Sequence, residues 1–461
     1  AVWSEGSTRP FAVFEIRPGY EQVVLASRLL CSDMKLFPLA TISCACTTSA
    51  FAGASFAAEV SEHRHKAVED VSNIEAKFLT FVQRHGRVYK RGSEEYAARL
   101  RAFEDRISLV EAHNARPDKQ WTAAVTVLAD RTSEELAGLR GYRHGAGAKR
   151  VSRSASLGLM SAESHIVDVS KLPENWDWQQ LQAMKDVKDQ GSCGSCWAVS
   201  SATVLRAHAE LYQNDRTFSV QQILDCTPNP KSCGGTGGCG GATAELAMDY
   251  VAKMGAVTED ERAYSAATGS CPSSMLALDT EPARPALRAA ASFAAIGERG
   301  RGGAKFGMLG WKALPKNKAE PLMVALYEQG PVVVSVSAND KWNMYSHGIL
   351  SPCDKDAVIN HAVALTGFGV DGPKGYWKIQ NSWGPSWGEA GFIRIERRSA
   401  RDESEYCGWD NSPEQGTACK GGPSKVWVCG NCGILYDSVV PTFALSEKGL
   451  FKRRNLHNVT M

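Results

Sequence analysis

The 461-residue chain lacks any real excess of charge: 52 lysines and arginines face 50 aspartates and glutamates, a formal net charge of +2. Near-neutrality gives no electrostatic case for nucleic acid or an anionic membrane surface as a partner, since both are held by clustered cations. Past residue 58 no apolar run is long enough to cross a bilayer. No internal repeat is visible, which excludes solenoids and propellers. The 14 cysteines also avoid a long stretch, because Cys31, Cys44 and Cys46 are followed by none until Cys193. The eleven from Cys193 onward are an odd number, what five disulfides and one reactive thiol would leave in an oxidising compartment.

The N-terminus fits that compartment. From Met34 the chain reads MKLFPLATISCACTTSAFAGASFAA, with a lysine, a short uncharged run and A-x-A sites at 50–52 and 52–54. A basic start, an apolar core and small residues describe a secretory signal peptide, expected over 34–57. The first residue is Ala1, so residues 1–33 are expected to be upstream sequence. An uncleaved anchor is the alternative, although Thr, Ser and Gly dilute the run below a good membrane span.

Helix signals dominate 72–114. Ser72-x-x-Glu75 is a capping box ahead of Ile74, Phe78, Phe81 and Val82 on one face. Ser93 can cap a second helix with Glu94 and Glu95 in its first turn and a stripe of Tyr96, Leu100, Phe103, Ile107 and Val110. Thr132-x-x-Glu135 opens a short third helix. From 143 to 164 the chain turns basic and rich in Ser, Gly and Ala, a natural proteolytic target and domain boundary. Residues 281–306, again Ala, Arg and Gly-rich, read as a surface insertion, a solvated loop or short helix. Short β-branched or alternating runs at 331–338, 361–370 and 375–383 read as antiparallel strands. The main unit is therefore α+β.

The chemistry concentrates in 188-KDQGSCGSCWAVSSATVLRAHAEL-211. Trp197, Val204, Leu205, His208 and Leu211 keep a helical period from Cys196 onward. That places Cys196 at a helix N-terminus, where the dipole favours an anion and lowers a thiol pKa toward neutrality. Cys193 lies outside the first turn and suits a disulfide. A redox Cys-x-x-Cys would need a preceding strand and a βαβ unit, which are missing. A zinc site with Cys429 and Cys432 conflicts with the secretory route. A nucleophilic thiolate needs a base, an orienter for that base and an oxyanion hole. Four histidines follow Cys196: His208 on its own helix stripe, His347 in a Tyr-Ser-His-Gly turn, His361 opening a strand, and His457 in the tail. Asn381, at the end of the next strand, can stand beside His361, with Trp383 covering the pair from water. Gln190 offers a side-chain N–H₂ beside the Cys196 N–H as an oxyanion hole.

These residues resemble the papain family of cysteine peptidases, the cathepsin L-like branch in particular. Cys193-Gly-Ser-Cys196-Trp197 matches that family's C-G-[SA]-C-[WY] signature, and Glu95, Arg99, Phe103 and Asn114 match the ERFNIN helix of its propeptides, with Arg106 and Val110 departing from it. Ala124-x-Thr126-x-Leu128-x-Asp130 keeps only the Asp of the family's GxNxFxD segment. Leu172 to Trp178 looks like a mature N-terminus.

The resemblance implies an α+β, papain-like fold of two subdomains, one helical and one antiparallel and β-barrel-like, facing across a cleft and preceded by an α-helical propeptide. It implies an inhibitory propeptide with activation linker over 58–165, a peptidase domain over 166–445 and a basic tail over 446–461. Gln190 becomes the oxyanion donor, Cys196 the nucleophile, His361 the general base and Asn381 its orienter. Gly241, Ala242, Ile359, Ala362, Trp383 and Asp437 become substrate-binding residues. Asp437 would floor the pocket for the second residue upstream of the cut, where it could accept Arg as well as Leu or Phe. Ala242 replaces a glycine that offers its backbone to substrate, and serves if its φ is negative. Implied disulfides are Cys193–Cys239, Cys226–Cys271 and Cys353–Cys432. Cys429 competes for the last, and Cys233, Cys407 and Cys419 stay unassigned.

The implied activity is that of an endopeptidase zymogen, because neither a histidine-pair occluding loop nor a propeptide-derived plug is visible. It needs no metal or cofactor. Its expected partners are protein substrates and its own propeptide, as a monomer, without membrane attachment once the signal is cleaved. Its expected location is the secretory route, ending outside the cell or in a lysosome- or vacuole-like compartment. The other reading is a catalytically silent relative that inhibits or binds, but such relatives usually lose the nucleophile.

Overall fold

The computed structural model describes residues 74–141, 169–272 and 302–446. The upstream sequence and signal peptide, the Ser72 cap, the 143–164 stretch, residues 281–301 and the tail beyond Ser446, with His457, lie outside them.

Helix α1 (74–84) and helix α2 (Glu94–Asn114) pack Phe78 and Phe81 against Tyr96, Phe103 and Ile107, the faces their periodicity marks. Ser93 caps α2 by accepting from the Tyr96 N–H at 3.1 Å. Strand β1 (Trp121–Ala123) follows, clamped by Asn114, whose side chain donates to Ala123 O at 2.8 Å and accepts from its N–H at 3.0 Å. Helix α3 (Ser133–Leu139) opens on the full Thr132/Glu135 capping box.

The main unit begins at β2 (Trp176–Asp177) and continues through α4 (Gln182–Lys185), α5 (Cys196–Tyr212), α6 (Val220–Cys226) and α7 (Ala244–Met254). Strands β3 (Met308–Ala313), β4 (Val332–Val336), β5 (Tyr345–Leu350), β6 (His361–Asp371), β7 (Lys374–Gln380) and β8 (Phe392–Arg397) come next, then a hairpin of β9 (Cys407–Asp410) and β10 (Val426–Cys429), then β11 (Asp437–Phe443). The large sheet runs β1-β5-β8-β7-β6-β4-β11-β3, with β2 on β6. Its pairs are antiparallel except β5 with β8. Helix α5 is buried along almost its whole length and packs on β6 and β11 from one side and on α4, α6 and α7 from the other. The sheet and the helices thus meet along the line where α5 begins.

Five disulfides and one free thiol, Cys196, account for the cysteines among the described residues. Cys193–Cys239, Cys226–Cys271 and Cys353–Cys432 are joined, and Cys429 pairs instead with Cys407 across the β9–β10 hairpin. Cys233 pairs with Cys419.

Two sequence expectations need correction. His347 lies in β5 rather than in a turn, because β1 of the N-terminal unit pairs with that edge and sets Thr122 opposite His347. Residues 302–306 of the expected surface insertion form a short 3₁₀ helix that is not wholly at the surface: Gly302 and Gly303 are buried, and Phe306 stands edge-on to Phe218 at 5.0 Å.

Candidate active site

Cys196 is the first residue of α5, with Ser195 as its N-cap, and the Cys193–Cys239 disulfide pins the turn before it. That turn is tied to the sheet. Gln190 N–H donates to Ser382 O at 2.8 Å, Gly384 N–H donates to Lys188 O at 3.1 Å, and the Ser382 hydroxyl donates to Gln190 Oε1 at 2.5 Å. With its oxygen thus occupied, the Gln190 amide turns its N–H₂ toward the cleft.

His361 opens β6 and Asn381 follows β7, the strand paired with it, so register brings the two together. His361 Nε2 donates to Asn381 Oδ1 at 2.8 Å, and that oxygen also accepts from the Ser382 N–H at 2.9 Å, which orients the amide. The proton therefore sits on Nε2. Nδ1 is buried without a hydrogen-bond partner, a free lone pair on the other edge of the ring. Trp383 stacks on the imidazole at 5.1 Å and Trp342 stands edge-on to it at 6.2 Å. Trp387 meets Trp383 at 5.1 Å and donates its indole N–H to Trp342 O at 3.0 Å. Sequence reasoning named Trp383 but missed Trp342 and Trp387, the latter only four residues on in Pro-Ser-Trp-Gly. His208, by contrast, is buried in the core with Nε2 against Pro331 O at 2.8 Å, far in role from the thiol.

The N-terminal unit covers this site. Gln190 Nε2 donates to Leu139 O at 2.8 Å, so the carbonyl of the last residue of α3 occupies the amide expected to serve as oxyanion donor, which also reaches Cys193 O at 2.8 Å. Gly141 lies directly on the thiol: a Cβ there would fall 2.2 Å from Cys196 Sγ, and its φ of +49° is one that only glycine adopts freely. Gly241 meets the same segment, since a Cβ on it would fall 1.8 Å from Gly141 O. Ala242 beside it is buried with φ outside the left-handed region, which meets the condition set for it from sequence. β1 extends the sheet at β5, and Arg140 donates to Asp340 Oδ1 at 3.2 Å.

Burial reverses the expected electrostatics. Removal from water pushes the Cys196 thiol up to about 12, even though backbone N–H groups, Ala362 N–H at 3.4 Å among them, favour the thiolate. Burial likewise pulls His361 down to about 4 against the Asn381 hydrogen bond, which favours the charged ring. The thiolate near neutrality expected from the helix N-terminus is thus absent in the covered state, because desolvation outweighs the dipole. Between about pH 4 and 12 the covered pair is a neutral thiol and a neutral imidazole, the ring's own proton staying on Nε2. An uncovered ion pair holds the same number of protons, with the thiol's moved to Nδ1, so uncovering shifts a proton within the pair and takes none from solvent.

One clasp of the N-terminal unit is also insensitive to mild acid. Glu135 caps α3 through the Thr132 N–H at 2.9 Å and takes two hydrogen bonds from Arg99 of α2, one of them from Nη2 at 2.8 Å. The guanidinium holds its carboxyl at about 2, below the ordinary 4.5. Its stabilisation is therefore complete above pH 4.5 and is lost only as pH falls through about 2. Glu135→Gln is expected to speed autoprocessing at mildly acidic pH about three- to tenfold, the rate equivalent of roughly 1 kcal/mol for a partly exposed pair. Densitometry of the precursor band checks this; an unchanged half-life would remove the clasp from the account.

The remaining expected pocket residues gather on one side. Ile359 and Ala362 are buried beside His361, and Ala362 touches the thiol. Asp437, at the start of β11, is buried and accepts from the Ser335 hydroxyl at 2.6 Å. Glu245 of α7, which sequence reasoning missed, faces it. Burial first, then the Asp437 charge and a shared hydrogen bond, raise the Glu245 carboxyl, so that Glu245 keeps the proton of the pair. The missing signal was spatial, since the two lie on elements distant in sequence. Among the described residues no cluster of His, Cys, Asp and Glu could hold a metal ion, and no helix is long and apolar enough to cross a membrane.

A thiol at a helix N-terminus, an imidazole aimed by an amide and a side-chain oxyanion donor define a cysteine hydrolase that works by acyl transfer. Comparison with known proteins narrows the class. Residues 172–417 match the papain family cysteine protease model and residues 78–136 the cathepsin propeptide inhibitor domain. The chain is 32% identical to the oryzain beta chain of Oryza sativa subsp. japonica over 66% of its own length, and spans 58% of that relative. Among solved structures, a recombinant stem bromelain precursor is 26% identical with a TM-score of 0.55, covering 80% of this chain and 99% of its own. A digestive procathepsin L2 of Tenebrio molitor is 25% identical with a TM-score of 0.56, covering 80% and 100%. The chain belongs to the papain family of cysteine proteases, and its N-terminal unit is the family's inhibitor domain, docked over the site as in a zymogen.

Proposed function

We propose that the processed chain is a cysteine endopeptidase that cleaves peptide bonds through a Cys196 thioester. The observation that carries this reading is the convergence of Cys196, His361, Asn381 and Gln190 under a propeptide carbonyl that already sits on the Gln190 amide. Once uncovered, His361 Nδ1 takes the thiol proton and sulfur attacks the scissile carbonyl. The oxyanion draws on Gln190 Nε2 and the Cys196 N–H. The imidazolium then protonates the leaving amine as the C–N bond breaks. Water, deprotonated by His361, attacks the thioester and releases the acid and the thiol. The test is hydrolysis of a fluorogenic dipeptide by acid-processed chain; a correctly processed protein without turnover would overturn the reading.

Residues 58–165 are read as inhibitor and activation linker, cut within 143–165, and 166–445 as the peptidase. Gly241, Ala242, Ile359, Ala362 and Trp383 are read as cleft walls. The zymogen is read as a monomer of the secretory route, ending outside the cell or in an acidic lysosome- or vacuole-like compartment, which the disulfides support. Asp437 is read as the acceptor for Arg at the second residue upstream of the cut, with Glu245, whose carboxyl is raised by burial and by the neighbouring Asp437, facing it. Asp437→Ala is expected to lower the Arg/Leu ratio of kcat/KM about tenfold or more, the scale of one lost partly buried charge pair. An unmoved ratio would assign specificity elsewhere.

A further inference from the structure

A few consecutive residues cross from one wall of the cleft to the other. On the sheet side, Thr417 N–H donates to Ile359 O at 3.1 Å, and a Cβ on Gly416 would lie 2.1 Å from that carbonyl, two residues before His361. On the helical side, Gly234 N–H donates to Ala418 O at 3.1 Å, Lys420 N–H donates to Lys231 O at 2.9 Å, and Cys419 is bonded to Cys233. Gly234 in turn abuts Gly241: a Cβ on Gly241 would lie 2.4 Å from Gly234 O, on the same residue that meets Gly141 above the thiol. The crossing therefore runs between two residues read as cleft walls, Ile359 and Gly241, the latter meeting Gly141 above the thiol.

Both anchors are stiff. Asn229 accepts from the Cys233 N–H at 2.8 Å and donates to Cys233 O at 2.9 Å and Gly235 O at 3.0 Å. The Ala418 N–H donates to Pro413 O at 3.0 Å, and the buried Asp410 accepts from the Ile359 N–H at 3.1 Å. The disulfide joins residues 186 apart in sequence, one between α6 and α7 and one between β9 and β10. Without it, two backbone hydrogen bonds would hold the crossing on the helical side.

We propose that residues 416–420, locked by Cys233–Cys419, are a strap over the upstream half of the cleft that accommodates two substrate residues before the scissile bond and disfavours a third. This rests on the peptidase reading above and adds substrate length to it. A dithiol reductant opens the strap: the S–S bond breaks, each sulfur takes a proton, and the reductant leaves as its own disulfide. Strapped enzyme then cuts extended chains more slowly than short peptides, and opening the strap narrows that difference.

The test compares fluorogenic substrates that share their last two residues and differ by two further residues upstream. Acid-processed wild type is expected to cleave the four-residue substrate about tenfold less efficiently than the two-residue one, and Cys233→Ala/Cys419→Ala to remove that penalty while leaving the two-residue rate unchanged. Equal efficiency in wild type, or a ratio unmoved by the double variant, overturns the strap. No cleavage of the two-residue substrate by wild type overturns the underlying peptidase reading instead. If the double variant fails to fold, the same ratio is measured on wild type through a dithiol titration, with free thiols at Cys233 and Cys419 counted by mass spectrometry. A ratio that rises as those thiols appear supports the strap, and one that stays flat overturns it.

Discussion

Iodoacetamide is expected to alkylate Cys196 on the order of 10⁴-fold faster after the N-terminal unit is removed than in the intact chain at pH 7. With the covered thiol at about 12, the thiolate fraction at pH 7 is on the order of 10⁻⁵. Gly141 also lies against the sulfur and leaves no approach for the reagent. Removing it returns water to the α5 N-terminus and lets His361 take the proton, since the Asn381 hydrogen bond favours the charged ring. The measurement is the mass shift of the peptide bearing Cys196 against time, from pH 5 to 9. In the intact chain the rate should stay low and rise with pH, following a thiol; in the processed chain it should be high and flat across neutrality, following an ion pair. Equal rates in the two forms would mean that burial does not control the nucleophile.

Cys196→Ser should lower kcat of the processed enzyme by about 10⁴-fold or more, because a serine hydroxyl does not form the imidazolium ion pair that a thiol does. Gln190→Ala is the informative companion. It should cost about 10² to 10³ in kcat, the range for one oxyanion donor, with little change in KM. The side chain also ties Ser382 and, through it, the Asn381 segment, so the variant's thiol reactivity should be checked beside its turnover. Loss of turnover with unchanged alkylation assigns Gln190 to the transition state. Parallel loss of both would assign it to holding the site together.

The parts of this molecule written in local pattern were legible from sequence. The capping residues Ser93 and Thr132 and the stripe from Tyr96 to Val110 mark helices whose ends the structure repeats. Cys196 stood out because its helix period starts there, and His361 and Asn381 because strands twenty residues apart can pair. Features that need two distant segments in one place were not legible. β1 is three residues long and exists because the edge of β5 accepts it, which is also why His347 is in a strand. The Trp342 and Trp387 walls, the Glu245 partner of Asp437 and the Cys233–Cys419 bond each join segments whose proximity only the fold creates. The protonation of the covered thiol was not legible for the same reason, since the covering Gly141 lies 55 residues before Cys196.

The central claim is that the thiol of Cys196 carries the acyl group. It is tested most directly by quenching the processed enzyme in acid during turnover of a slowly deacylating peptide ester and mapping the adduct by mass spectrometry. One acyl group is expected, on the peptide that contains Cys196, appearing before the free acid and absent from Cys196→Ala. Turnover with the adduct elsewhere, or with full activity in that variant, would contradict it.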